Sequence, residues 1–318
     1  MLCGVPVVLR IGGDIEALRL DALFQRHFAL SPTATGQPLG DPPLEVVLRR
    51  EDGLVSPRSA HLVEETPFLR VLDTGTGFWL EAGDSSIDVE PSRGVARGRL
   101  SGSFWDLPEL AQRDLFLQTV VILLRDRRLY GLHASGVERD GTNLLIVGPS
   151  GQGKTTLTLG LLAAGWGFLG DDVVALHLDR GSVEALAVRS SMSCTPTTLA
   201  FFGMEGTDTG SGEKQLLDLG LSSPSRVVDR FHPNLLAFPK VTDQPSSELE
   251  PLNEPATVAH LGRSMAGIMT NRVWAERQLA VLANLAGQAT GYRMLAGRDV
   301  YEDPPRVARL LGQTERHR

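Results

Sequence analysis

The pattern of hydrophobic and polar positions changes character along the chain. Residues 5–11 read Val-Pro-Val-Val-Leu-Arg-Ile and stop at Gly12-Gly13. Residues 45–50 read Glu-Val-Val-Leu-Arg-Arg and are followed by Glu51-Asp52-Gly53, a turn signal. Phe78-Trp79-Leu80-Glu81 ends at Ala82-Gly83-Asp84. Short β-branched and aromatic runs bounded by such residues predict strands and turns, and so a β-rich N-terminal module over residues 1–105. Residues 31–43, rich in Pro, Gly and Thr, predict a loop within it. The module carries no catalytic motif, and contact with a substrate or partner is its expected task.

From residue 108 the period lengthens. Leu110, Leu115, Leu117, Val121 and Leu124 recur at roughly helical spacing and predict a helix that leads into a catalytic domain over 106–318. Residues 131–137 predict a strand, Arg139-Asp140-Gly141-Thr142 a tight turn, and Asn143-Leu144-Leu145-Ile146-Val147 a buried strand, the two strands pairing as a hairpin. A helix over 154–164 is closed by Gly165, and a short strand over 166–169 ends in Gly170-Asp171-Asp172. Residues 173–178 and 183–188 flank Asp179-Arg180-Gly181 as a second hairpin. Further on, the pattern predicts a strand over 235–238, a polar Pro-containing loop over 242–255, and helices over 258–269 and 272–287.

Composition narrows the function classes. With 318 residues, of which 42% are hydrophobic, the chain can bury a substantial core. It contains no run of about 20 apolar residues to span a membrane, and its start lacks the pattern of a signal peptide. Cys3 and Cys194 are the only cysteines, which suits a reducing cytoplasm rather than a disulfide framework. Neither these nor the seven histidines fall at metal-ligand spacing, so a structural zinc site is not expected. A net charge of −7 argues against broad nucleic-acid binding. The basic cluster Arg125-Asp126-Arg127-Arg128 reads as cations complementing a helix C-terminus. The expectation is a cytoplasmic protein that binds neither membrane nor nucleic acid.

The chemistry lies in Gly148-Pro149-Ser150-Gly151-Gln152-Gly153-Lys154-Thr155, with Thr156 following, which matches G-x-x-x-x-G-K-[ST] between an apolar strand and a helix. The glycines let the backbone wrap an anion, with N–H groups and the helix N-terminus pointing at phosphates. Lys154 reaches the β and γ oxygens, and the Thr155 hydroxyl is a hard oxygen suited to Mg²⁺. Asp171 and Asp172 follow a short strand after a short crossover helix, which brings them to the Mg²⁺ edge of the loop. Adjacent side chains at a strand end point in different directions, so one carboxylate can hold Mg²⁺ while the other faces the incoming nucleophile. His133, on the predicted strand that pairs with the loop's strand, can stabilise charge or relay a proton near transferring phosphates. Arg189 reads as a surface residue.

Leu132-His133-Ala134-Ser135-Gly136, a loop ending Gly153-Lys154-Thr155-Thr156-Leu157, and Gly170-Asp171-Asp172-Val173-Val174 together resemble the HPr kinase-like (HPr kinase/phosphorylase) family. The resemblance covers residues 130–178. It implies an α/β fold with a mixed sheet and a P-loop core of the HPr kinase and PEP carboxykinase type. By resemblance, residues 148–156 bind ATP, Asp171 is the catalytic carboxylate that activates the acceptor hydroxyl, and His133 and Lys154 are active-site residues. Asp172, with Thr155, stands on the Mg²⁺ side. True HPr kinases assemble as homo-oligomers, while the sequence itself leaves the oligomeric state open. The Glu-x-Arg-Gly-x-Gly segment of HPr kinases is absent, the nearest stretch being Ala187-Val188-Arg189-Ser190-Ser191-Met192. The sequence is therefore more similar to divergent members that phosphorylate a serine of a ribosomal precursor peptide, including lasso-peptide precursors. A protein or peptide kinase, a small-molecule hydroxyl kinase, an ATPase or GTPase switch, and a non-catalytic nucleotide-binding regulator are the competing classes. The chain has neither the Asn-Lys-x-Asp of guanine recognition nor the Leu-Ser-Gly-Gly-Gln of transporter ATPases. The intact Lys154, Thr155 and Asp pair argue against the non-catalytic regulator.

Overall fold

The computed structural model describes residues 1–13, 15–31, 42–53, 57, 59–209, 213–265 and 272–314. The predicted loop at 31–43 therefore lies largely outside the described residues, as do the last residues of the helix predicted over 258–269. The chain divides into two compact units, and the first comprises residues 1–130 with 209–212 and 267–275.

In the first unit β1 (Val7–Gly12) leads through α1 (Ala17–His27) to β2 (Leu44–Arg50), and β3 (His61–Glu65), β4 (Arg70–Asp73), β5 (Phe78–Ala82), β6 (Ser85–Glu90) and β7 (Val95–Leu100) follow. They form a seven-stranded sheet in the order β1-β2-β7-β6-β5-β4-β3. β1, β2 and β7 run parallel, while β7 back to β3 is an antiparallel meander. Strand period decides burial here: Leu44, Val46 and Leu48 of β2 are buried. The parallel β1–β2 pair requires a crossover, and α1 supplies it, with Leu20, Leu23 and His27 on its buried face. The helix expected over 108–124 is α2 (Glu109–Asp126). It packs on β5 and β6, so the first unit runs to Tyr130, past residue 105.

The second unit comprises residues 131–208, 213–266 and 276–318. β8 (Leu129–Leu132) straddles its start, and β9 (Ala134–Arg139), β10 (Thr142–Val147), α3 (Lys154–Ala163), β11 (Gly167–Gly170), β12 (Val174–Asp179), β13 (Ser182–Ala187) and β14 (Ser191–Cys194) follow. Then come α4 (Pro196–Phe201), β15 (Thr207–Asp208), β16 (Gln215–Asp218), α5 (Leu219–Ser222), β17 (Arg230–Phe231), β18 (Leu235–Val241), β19 (Glu248–Leu252), α6 (Glu254–Gly262), α7 (Arg272–Gln288), β20 (Thr290–Ala296), α8 (Asp299–Glu302) and α9 (Pro304–Gln313).

A six-stranded sheet of order β11-β9-β10-β18-β20-β19 forms the frame. β10, β18 and β20 are parallel; β9, β11 and β19 pair antiparallel with their neighbours. The sheet is thus mixed. α3, α8 and α9 pack together, and Leu144, Ile146, Leu157, Leu161, Trp166 and Leu311 belong to one buried cluster. The hairpins at 139–142 and 179–182 form as expected, and Gly165 closes α3 with φ +93°.

Three expectations are corrected. Residues 131–137 are not one strand: the chain breaks at His133, where β8 joins β12 in a four-stranded sheet and β9 joins β10. The His133 N–H, freed from either ladder, donates to the Ser264 carbonyl at 2.6 Å. The 242–255 stretch contains β19, an edge strand that tolerates Pro251 because an edge leaves one side of the backbone unpaired. The helix expected from residue 258 starts at Glu254 and ends at Gly262. Pro255 sits in its first turn, where no N–H is needed, and the Asn253 side chain caps it by accepting from the Ala256 N–H at 3.0 Å.

Candidate active site

The loop at 148–153 connects the end of β10 to the start of α3. Gly148 is buried, whereas Pro149, Ser150, Gly151 and Gln152 are exposed. Gly151 and Gly153 have φ of +82° and +85°, a conformation that only glycine adopts cheaply. No side chain caps α3, so its first N–H groups have no side-chain acceptor. Such a turn ahead of an uncapped helix suits an anion.

Lys154 is the first residue of α3 and is 7% exposed. Its ammonium donates to the Pro149 carbonyl at 3.0 Å and to His133 Nε2 at 2.9 Å. Burial pulls its pKa down, opposed by the charges of Asp171 and Asp172. An ammonium has no acceptor, so Nε2 of His133 must accept and the ring proton sits on Nδ1. That nitrogen lies 3.3 Å from Asp172 Oδ1. Thr155 and Thr156 are half-buried on the first turn of α3.

The acidic pair stands at the end of β11. Asp172 adopts φ +73°, and the Val173 N–H donates back to the Asp171 carbonyl at 2.9 Å. This is a γ-turn of the positive-φ kind, rare and strained for a residue with a Cβ. Such a conformation costs on the order of 1–3 kcal/mol and clusters at functional sites. Its effect is to send the two carboxylates apart. Asp171 turns inward, is 4% exposed and accepts from the Ser135 hydroxyl through Oδ1. Burial, then the charge of Asp172, push its carboxyl above the usual range, while Ser135, Arg189 and Lys154 act in the other direction. Asp172 faces His133 through Oδ1 and Arg189 Nη1 through Oδ2 at 3.0 Å. Cys194, whose thiol burial drives up to about 12, is left un-ionised and inert.

The expected residues His133, Lys154, Asp171 and Asp172 therefore meet at one place, with Lys154, His133, Asp172 and Arg189 linked in a chain. β9 stands between β10 and β11, which run in the same direction, so their C-terminal ends share one edge of the sheet. Arg189 is not a surface residue. Its side chain is 1% exposed, because it follows the buried end of β13 and lies against Asp172. Ser135 was not singled out from the sequence; a hydroxyl set between Ala134 and Gly136 in a buried strand was the available signal.

No protein-family model matches the chain. No curated protein matches it. Among solved structures, the Hpr(Ser) kinase/phosphatase from Coxiella burnetii is similar over 58% of this chain and 95% of that one, at 15% identity and a TM-score of 0.31. That likeness is weak.

Among the described residues no three His, Cys, Asp or Glu side chains are grouped to hold a metal by themselves. A nucleotide-bound Mg²⁺ asks for less, since it takes most of its ligands from phosphates and water and one or two from protein. The hydroxyl of Thr155 and the partly exposed carboxylate of Asp172 fit that demand. No helix among the described residues is long and apolar enough to cross a membrane.

Proposed function

We propose that this chain is an ATP-dependent kinase of the HPr kinase-like type, transferring the γ-phosphate to a Ser or Thr hydroxyl of a protein or ribosomal precursor peptide. The observation that carries the reading is the convergence on one edge of a phosphate-type loop, a lysine, a histidine and a buried carboxylate. The loop from Ser150 and the first turn of α3 hold the polyphosphate through backbone N–H groups, with Lys154 at its β and γ oxygens. Thr155 and Asp172 are the residues that would hold a nucleotide-bound Mg²⁺, which when present would supply neutralisation of the charge on the transferring group.

Asp171 receives the proton. The acceptor oxygen forms a bond to the γ-phosphorus as the bridging P–O bond to ADP breaks, and the hydroxyl proton passes to the Asp171 carboxylate. A carboxyl held above its usual range is a better base than an ordinary aspartate near neutral pH. Ser135 fixes which oxygen is free, since Oδ1 is already accepting its hydroxyl. His133, between Lys154 and Asp172, positions Lys154.

Radiolabelled ATP offered with Ser-containing peptides, HPr-like proteins and small hydroxyl compounds tests the proposal. Label on a peptide or protein is the expected result. Label on a small hydroxyl compound alone makes the chain a small-molecule kinase. Brisk phosphate release to water with no labelled acceptor makes it an ATPase or switch.

A further inference from the structure

An aromatic patch flanks α3. Phe201 ends α4 and is 56% exposed, and Tyr301 of α8 is 38% exposed. Their rings are 4.9 Å apart and meet edge to face, while Phe202 stacks on Tyr301 at 5.8 Å. Phe202 anchors the patch, since it packs on the core cluster and lies 3.7 Å from where a Cβ on Gly160 would stand. Large exposed rings next to each other are unusual on a protein surface without an occupant.

Position names the occupant. The Tyr301 hydroxyl donates to Thr156 Oγ1 at 3.4 Å. Lys154 and Thr156 are two residues apart on a helix, so their side chains project about 200° apart around its axis. Lys154 points to His133 and the acidic pair, where the γ end of a polyphosphate belongs. The Thr156 side is then where the α end emerges, and with it the sugar and base. Val241, 62% exposed, lies against the loop as well: a Cβ on Gly153 would come within 2.9 Å of its Cγ2.

We infer that Phe201 and Tyr301 form the nucleobase platform of the nucleotide site, on which a purine ring stacks while its phosphates lie on residues 148–156. The inference rests on the proposed nucleotide binding and adds the residues that tell a nucleotide from a bare polyphosphate. Every base offers a π-face, so the platform gives affinity for the base with little choice between purines.

Calorimetry with two probes, ATP and inorganic tripolyphosphate, separates the parts. Phe201→Ala is expected to weaken ATP at least about fivefold, the low end of what losing a stacked base costs, and to leave tripolyphosphate unchanged. Phe201→Trp is expected to keep ATP affinity. Lys154→Ala should weaken both probes. Wild-type ATP affinity in Phe201→Ala, or equal weakening of ATP and tripolyphosphate, overturns the platform while leaving the phosphate site standing. A raised KM for a peptide acceptor at unchanged ATP affinity assigns the patch to the acceptor and overturns it too. Wild-type protein that binds neither probe removes the nucleotide reading itself. Phe201 is exposed, so thermal unfolding of the variant should match the wild type.

Discussion

Removing one hydroxyl tests the assignment of Asp171 most finely. Ser135 is fully buried and its hydroxyl donates to Asp171 Oδ1. A hydrogen bond to a charged group is worth roughly 1.5–3 kcal/mol, and this one favours the ionised carboxylate. In Ser135→Ala the burial and the neighbouring charge of Asp172, which push the Asp171 carboxyl up, act with less opposition. The carboxyl therefore moves further upward and a smaller fraction is ionised at a given pH. At 1.36 kcal/mol per tenfold, transfer in the acid limb should fall about ten- to a hundredfold, and the limb should move to higher pH. The assay is kcat/KM against pH for wild type and variant, with ATP affinity measured alongside. A purely structural role for Ser135 would lower the whole profile without moving it. An unmoved limb with unchanged rate refutes both the role of Ser135 and the use of Asp171 as proton acceptor.

Other predictions follow from the same site. Asp171→Asn should bind ATP normally and lose transfer, which calorimetry and labelled ATP check. It should also raise the unfolding temperature near neutral pH. A carboxyl raised above its unfolded value binds more protons in the folded state, so stability falls as pH rises from its unfolded range through its folded one. The gain of the neutral amide should accordingly vanish in acid. Lys154→Ala should severely weaken ATP binding or transfer, and wild-type binding with wild-type turnover would remove the loop from the account. Arg189→Ala should destabilise the fold by roughly 1.5–3 kcal/mol in urea titration, because it removes a fully buried side chain that donates a hydrogen bond to the Asp172 carboxylate; a change within error would mean that this bond contributes nothing to stability.

The local chemistry of this site was written in the sequence, whereas its three-dimensional closure was not. Glycines at 151 and 153 and the Lys-Thr-Thr run announce a tight turn before a helix, since each requirement is local. The strand break at His133 is not local: Leu132, His133 and Ala134 read as one apolar strand, and only the distant Ser264 carbonyl and the two separate sheets explain the interruption. Arg189 shows the same limit. A charged side chain after a strand normally faces solvent, and its burial depends on Asp172, 17 residues away. The strained turn at Asp172 leaves no mark in the sequence, because Gly-Asp-Asp is also ordinary turn chemistry. Proline marks a loop only by its local chemistry, whereas Pro251 sits on the edge strand β19 and Pro255 in the first turn of α6.

Rapid-quench measurement of how the γ-phosphate divides between an acceptor peptide and water, in wild type and Asp171→Asn, bears on the central claim most directly. Wild type should send the phosphate mainly to the peptide hydroxyl, and the variant should lose this transfer while still binding ATP. Equal release to water with and without peptide, unaffected by the substitution, would contradict it.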